Sequence, residues 1–91
     1  MMDRESIRQT LCEYVEDDMG EPVASMDDAV DIRVDLGLDS VDVVGLVMKV
    51  ERHFRVRLAS EELIQIVTIG DMLDLLVAKL AALPVVSRDA A

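Results

Sequence analysis

The sequence predicts an all-α fold of four helices, three longer and one short, with a long first loop. Three observations carry that reading. Apolar residues recur at spacings of three, four and seven instead of alternating in twos. The chain is 52% apolar, yet Tyr14 and Phe54 are its only aromatic residues, so the core must be aliphatic. Ninety-one residues make one small domain with a modest core.

Asp3 can cap a first helix running to about Asp18, with Ile7, Leu11, Tyr14 and Val15 on one buried face. Cys12 lies beside that stripe and reads as a small filler, because Glu13 and Glu16 have the wrong sign to lower its pKa. Gly20 and Pro22 end the helix. From Glu21 to Asp39 no helical stripe is visible, although a short turn near Asp27-Asp28-Ala29 fits. Val23, Met26, Val30, Ile32, Val34 and Leu36 are read as anchors that pin this loop across the helices.

A second helix is expected from Ser40 to about His53. At about 100° per residue, Val43, Leu46, Val47, Val50 and Phe54 share one side, and Val41, Val44, Gly45, Met48 and Arg52 share the other. So small a domain can hardly surround this helix, so the first side is assigned to the core and the Val41-Val44-Met48 strip to the surface. Arg55-Val56-Arg57-Leu58 is a connector. Ser60 is expected to cap a brief third helix through Glu61, Glu62 and Leu63. Thr68-Ile69-Gly70-Asp71 then resembles a capping box. It opens a last helix whose buried stripe is Ile69, Met72, Leu73, Leu76, Val77, Leu80 and Leu83. Pro84 stops it. The expected organisation is one domain over 1–84 and a mobile tail over 85–91, with no internal repeats.

Nineteen acidic against nine basic residues give a net charge of −10. That argues against nucleic acid and anionic membrane as partners and for partners that present Lys and Arg. A single cysteine cannot form an internal disulfide, which suits a reducing cytoplasm. With no basic leader, no apolar h-region and no long apolar run, export and membrane insertion are not expected.

The chain turns on Asp35-Leu36-Gly37-Leu38-Asp39-Ser40-Val41-Asp42. Gly37 permits a tight turn. Asp39 or Ser40 could cap the second helix, which would hold a serine hydroxyl beside free amides at the positive end of the helix dipole. Such a place favours a phosphate ester, although most serines at helix starts are caps and nothing more.

Leu36-Gly37-Leu38-Asp39-Ser40-Val41-Asp42, followed by Leu46-Val47-Met48, resembles the signature of acyl carrier proteins. The likeness runs from about Asp3 to Leu83, with Val41 replacing the family's usual leucine. The resemblance implies a four-helix carrier bundle that does no chemistry of its own. Ser40 would bear a covalent 4′-phosphopantetheine, attached by a phosphopantetheinyl transferase. Acyl groups would ride on it as thioesters to an acyltransferase or acyl ligase, a ketosynthase and related enzymes. Carried over by position, the partner contacts are Asp39, Val41, Val44, Gly45, Met48 and Glu51. An acyl chain between helices maps to Val50, Leu58, Leu63 and Ile66, which as readily form ordinary core. Gly45 at a commonly acidic position, with Lys49, Arg52 and His53 interrupting the acidic run, points to a specialised polyketide carrier over a fatty-acid one. A peptidyl or aminoacyl carrier is the alternative. A monomer is expected.

Other chemistries fit the residues poorly. A nucleophilic serine needs a base in reach, and the only histidine, His53, lies thirteen residues along the same helix, roughly 20 Å away. Gly-x-Ser-x-Gly is absent. An EF-hand beginning at Asp35 would place Gly37, Ser40 and Leu46 where an oxygen ligand, glycine and glutamate are needed. Beginning at Asp31, it fails at Arg33, Leu36 and Asp42. No dedicated metal site is expected. An unmodified acidic interaction module fits the charge and periodicity equally well, and only the Asp39-Ser40 likeness separates it from a carrier.

Overall fold

Helices form where the capping residues place them. In the computed structural model, which describes residues 3–82, they are α1 (Arg4–Met19), α2 (Ser40–Phe54), α3 (Ser60–Ile64) and α4 (Ile69–Ala82). The Leu83, Pro84 and tail expectations lie outside the described residues. Asp3 caps α1 by accepting a bond from the Ser6 amide at 2.8 Å, and Gly20 closes it in the left-handed conformation at φ 75°. α4 opens on the capping box expected. The Asp71 amide donates to Thr68 Oγ1 at 3.1 Å, and Asp71 Oδ2 accepts from the Thr68 amide at 3.1 Å.

α3 corrects its expected cap. The residue before its first turn is Ala59, which has no capping side chain, and Ser60 lies inside the helix. Glu62 takes over part of the task, its Oε1 accepting from the Ala59 amide at 2.8 Å.

α1 packs on both α2 and α4. Ile7, Leu11, Val15, Leu46, Val50, Ile69, Met72, Leu73 and Leu76 are fully buried where the three meet. Tyr14 and Leu80 are half-buried at its edge. Val77, expected within the stripe of α4, is exposed.

The long loop is a structured strap. Met26, Ile32 and Leu36 are buried, and Val23 and Val30 pack partly against the core. Val34 overturns its assignment as an anchor: it is 78% exposed. The reason is local. Asp31 Oδ1 accepts from the Arg33 and Val34 amides at 2.9 and 2.7 Å, and the Asp31 carbonyl accepts from the Asp35 and Leu36 amides. This rolls residues 31–36 into a turn with Ile32 and Leu36 inward and Val34 outward. Leu38, an anchor the sequence did not reveal, is buried instead.

Two devices tie the strap down. The Ile32 amide donates to the Val67 carbonyl and the Ile69 amide to the Val30 carbonyl, both at 2.9 Å, around an antiparallel bridge between Asp31 and Thr68. The turn at Asp28 is clamped from two helices. Arg4 Nη2 and Arg8 Nη1 each reach its carboxylate at 2.8 Å, and the Gly70 amide donates to its carbonyl at 2.9 Å. A Cβ on Gly70 would stand 2.9 Å from that of Asp28, so only glycine lets the strap approach α4 this closely.

Candidate functional site

The site grows from the start of α2. Gly37, at φ 72°, turns the chain out of the strap, and the capping role falls to Asp39. Asp39 Oδ1 accepts from the Asp42 amide at 2.8 Å, while Asp42 Oδ2 accepts from the Asp39 amide at 3.3 Å. This reciprocal capping box removes Ser40 from the task. Ser40 is the first residue of α2 and is exposed, and among the described residues its hydroxyl has no hydrogen-bond partner. The helix mouth is less of an anion cradle than the sequence alone suggests. The two carboxylates already answer much of the dipole there. What the geometry provides is an outward, uncommitted hydroxyl on a rigid helix end.

Along the outer face of α2 the expected strip is open to solvent, with Val41 78% and Val44 and Met48 each 55% exposed. Asp39 is exposed at its head, and Gly45 is half-buried within it. Glu51, assigned to the same contact set, is half-buried, and its Oε2 accepts from the Leu58 amide at 2.8 Å. It holds the connector to α2.

The four residues assigned to an acyl pocket part company. Val50 and Leu58 are buried in the core. Leu63 and Ile66 line a surface cavity of ≈ 460 Å³ together with Ile32, Arg33, Val34, Val43, Ile64 and Val67. This cavity lies between the strap and α3, and Val43 brings its wall within one helical turn of Ser40. Strap residues are the part of this wall that sequence reasoning missed. A second cavity of ≈ 340 Å³ touches Glu62, Gln65, Ile66, Asp71, Asp74 and Leu75.

Titratable groups near the site are structural. Hydrogen bonds from the Thr68 and Val67 amides hold the Asp71 carboxyl below its ordinary range. The Ala59 amide and then Lys79 do the same for Glu62. Burial, followed by Glu16 and Glu13, pushes the Cys12 thiol up, so it is a poor nucleophile as expected. His53 is exposed, bonded through Nδ1 to the Tyr14 hydroxyl at 3.0 Å, and packed edge-on against Phe54. Lys49 pairs with Asp18 at 2.9 Å. Lys49 and His53 therefore face α1, and of Lys49, Arg52 and His53 only Arg52 continues the outer strip.

Comparison with known proteins agrees with this geometry. Residues 9–76 match the family model described as the phosphopantetheine attachment site. An acyl carrier protein of Saccharopolyspora erythraea is 35% identical, the match covering 88% of this chain and 87% of the relative. One from Rubrobacter xylanophilus is 34% identical, covering 84% of this chain and 94% of the relative. The crystal structure of the Thermotoga maritima acyl carrier protein is 31% identical, with a TM-score of 0.79, over 88% of this chain and 93% of that one. The solved structure of the acyl carrier protein from Enterococcus faecalis is 26% identical, with a TM-score of 0.72, over 86% of this chain and 99% of that one. Sequence motif, helical fold and relatives converge: the chain belongs to the acyl carrier protein family, as a non-catalytic carrier whose cofactor is phosphopantetheine.

Proposed function

We propose that Ser40 carries the 4′-phosphopantetheine arm and that the chain holds acyl intermediates on it as thioesters. The observation that supports this most is the capping box. Asp39 and Asp42 satisfy each other's amides, and the exposed Ser40 hydroxyl has no structural duty. The nearest carboxylates, those of Asp39 and Asp42, are engaged with backbone amides in the capping box, so the phosphopantetheinyl transferase must supply the base. The Ser40 Oγ–phosphorus bond forms as the pyrophosphate of coenzyme A breaks, the nucleotide half leaves, and the hydroxyl proton passes to the enzyme. When bound, the arm supplies a terminal thiol for thioester formation. The chain's own residues fix where that thiol starts and which surface a partner meets.

Asp39, Val41, Val44, Gly45 and Met48 form the face along which the transferase, an acyltransferase or acyl ligase, and a ketosynthase would approach. Glu51 contributes by keeping the connector in place. Leu63 and Ile66, with the strap, offer apolar wall to a cargo, while Val50 and Leu58 lie in the core. The pathway is of the polyketide or fatty-acid type, and the polyketide type is favoured. Gly45 and Arg52 break the acidic run on the very face that a partner reads. The working protein is a cytoplasmic monomer with one carrier domain over 1–84.

Intact mass after treatment with a broad transferase and coenzyme A tests the attachment. One addition is expected in the wild type and none in Ser40→Ala. An addition that persists in the variant overturns the assignment.

A further inference from the structure

The outer face of α2 is polarised in a way that attachment at Ser40 does not require. Its leading end carries Asp39 and Asp42. Its trailing end carries Arg52 and, at the cap, Arg55, both exposed. Helical rise separates Ser40 from Arg52 by about 18 Å, well beyond the ~8 Å over which exposed charges are felt at physiological salt. A docking surface therefore meets two distinct fields, negative beside Ser40 and positive at the far end.

These cations are also unspent. Arg4, Arg8, Lys49 and Lys79 each have a carboxylate in ion-pair contact. Among the described residues, Arg52 and Arg55 have none, and neither do Arg33 and Arg57, but of these four only Arg52 lies on α2 and only Arg55 at its cap. Glu51, the nearest acid in sequence to both, has turned its Oε2 to the Leu58 amide. Positive charge suits a helix C-terminus, but that need is served anywhere around the last turn. Arg52 stands four residues after Met48, directly in line with the apolar strip.

Gly45 supplies an independent sign that something covers this face. Glycine inside a helix is unfavourable relative to alanine, and nothing in the fold asks for it here. Its φ is not positive, and a Cβ built on it would meet no atom within 4 Å. A residue that weakens its own helix, half-buried between Val44 and Met48, is what close approach by another surface requires.

We propose that the face from Val41 through Gly45 and Met48 to Arg52 and Arg55 docks a protein partner of polarised charge. That partner is basic where it meets Asp39 and Asp42 and acidic where it meets Arg52 and Arg55, with its closest approach at Gly45. The proposal rests on Ser40 as the attachment point for its orientation. Its test needs no arm, so the two readings fail separately.

The probe is a ketosynthase whose carrier-docking groove is lined by Lys and Arg, used beside a version with the groove cation farthest from its active-site mouth changed to Glu. Affinity for the unmodified carrier is measured by biolayer interferometry. The acidic substitution should tighten binding of the wild-type carrier by about tenfold and weaken binding of R52E/R55E. Both effects should fade as salt rises. R33E, which makes a charge change of the same sign off this face, should follow the wild type. Gly45→Ala should melt higher than the wild type yet bind at least about fivefold more weakly, a combination that a purely structural glycine does not give. Equal responses of R33E and R52E/R55E, or no response in either, overturn the proposal. So does retention of the wild type, but not R52E/R55E, on phosphatidylglycerol vesicles without any change in ketosynthase binding.

Discussion

The junction of α1, α2 and α4 and the region around α3 use the same aliphatic residues to opposite effect. At the junction, nine large side chains are fully buried and interlocked. α3 buries no residue, Ile64 is 79% exposed, and a cavity of ≈ 460 Å³ separates the strap from Leu63 and Ile66. Five residues make too little helix to stand alone, and Ala59 offers no side-chain cap. One side of the bundle is a frame. The other is a wall with few buried contacts, and it lies next to Ser40.

Truncation should separate the two regions most sharply. Leu11→Ala or Leu46→Ala is expected to cost about 2–5 kcal/mol in urea unfolding, as for any filled core position. Ile64→Ala should stay within about 0.5 kcal/mol. Equal losses would mean that α3 is as much a part of the frame as α1.

The strap comes next. Gly70→Ala forces a methyl against Asp28 and should cost about 1–3 kcal/mol, the range for overpacking a fitted contact. A neutral result would show that the strap can retreat without penalty. Thr68→Ala removes the side chain that accepts from the Asp71 amide and should cost about 1 kcal/mol.

Acid should act on the same anchor. Hydrogen bonds from Arg4 and then Arg8 hold the Asp28 carboxyl below its ordinary range, and Asp71 is held down by the Thr68 and Val67 amides. Carboxyls depressed in the folded state contribute stability that is present above their unfolded pKa and lost as pH falls through the folded one. Melting temperature should therefore hold at neutral pH and drop below about pH 4. Asp28→Asn should melt lower at neutral pH and show a shallower acid drop. A parallel drop in the two proteins would remove Asp28 from the cause.

The smallest expected effect is on the open face of α2. Met48→Glu should change stability by only about 0.5 kcal/mol while slowing arm transfer or acyl transfer by partner enzymes. A large loss of stability would put Met48 in the core.

Periodicity alone makes the frame legible in the sequence. Ile7, Leu11 and Val15, then Leu46 and Val50, then Met72, Leu73 and Leu76 repeat at helical spacing, and the caps at Asp3 and Thr68 read directly from residue type. The motif singles out Ser40 as well, but not the fact that Asp39 alone caps the helix. The strap is legible only in part. Its hydrophobic residues follow no period, so nothing in the sequence tells Val34 from Leu38. The difference comes from the Asp31 carboxylate folding the chain back on itself. The clamp on Asp28 is hidden for another reason. Arg4 and Arg8 lie twenty or more residues before Asp28 in the sequence, and Gly70 reveals its purpose only when the strap is laid against it. Val50 and Leu58 group by position with Leu63 and Ile66 as neighbours of one cavity, but the core claims the first two.

The bridge between the strap and the start of α4 gives the molecule its own gauge. The Ile32 and Ile69 amides are held by the Val67 and Val30 carbonyls, across the seam that borders the cavity. Anything that wedges the strap away from α3 must lengthen those two bonds before it disturbs the frame. Deuterium uptake at Ile32 and Ile69, set against uptake at Leu46 or Leu73, therefore distinguishes a cargo lodged in the seam from one left in solvent. It does so without a label on the cargo and without an enzyme to read it.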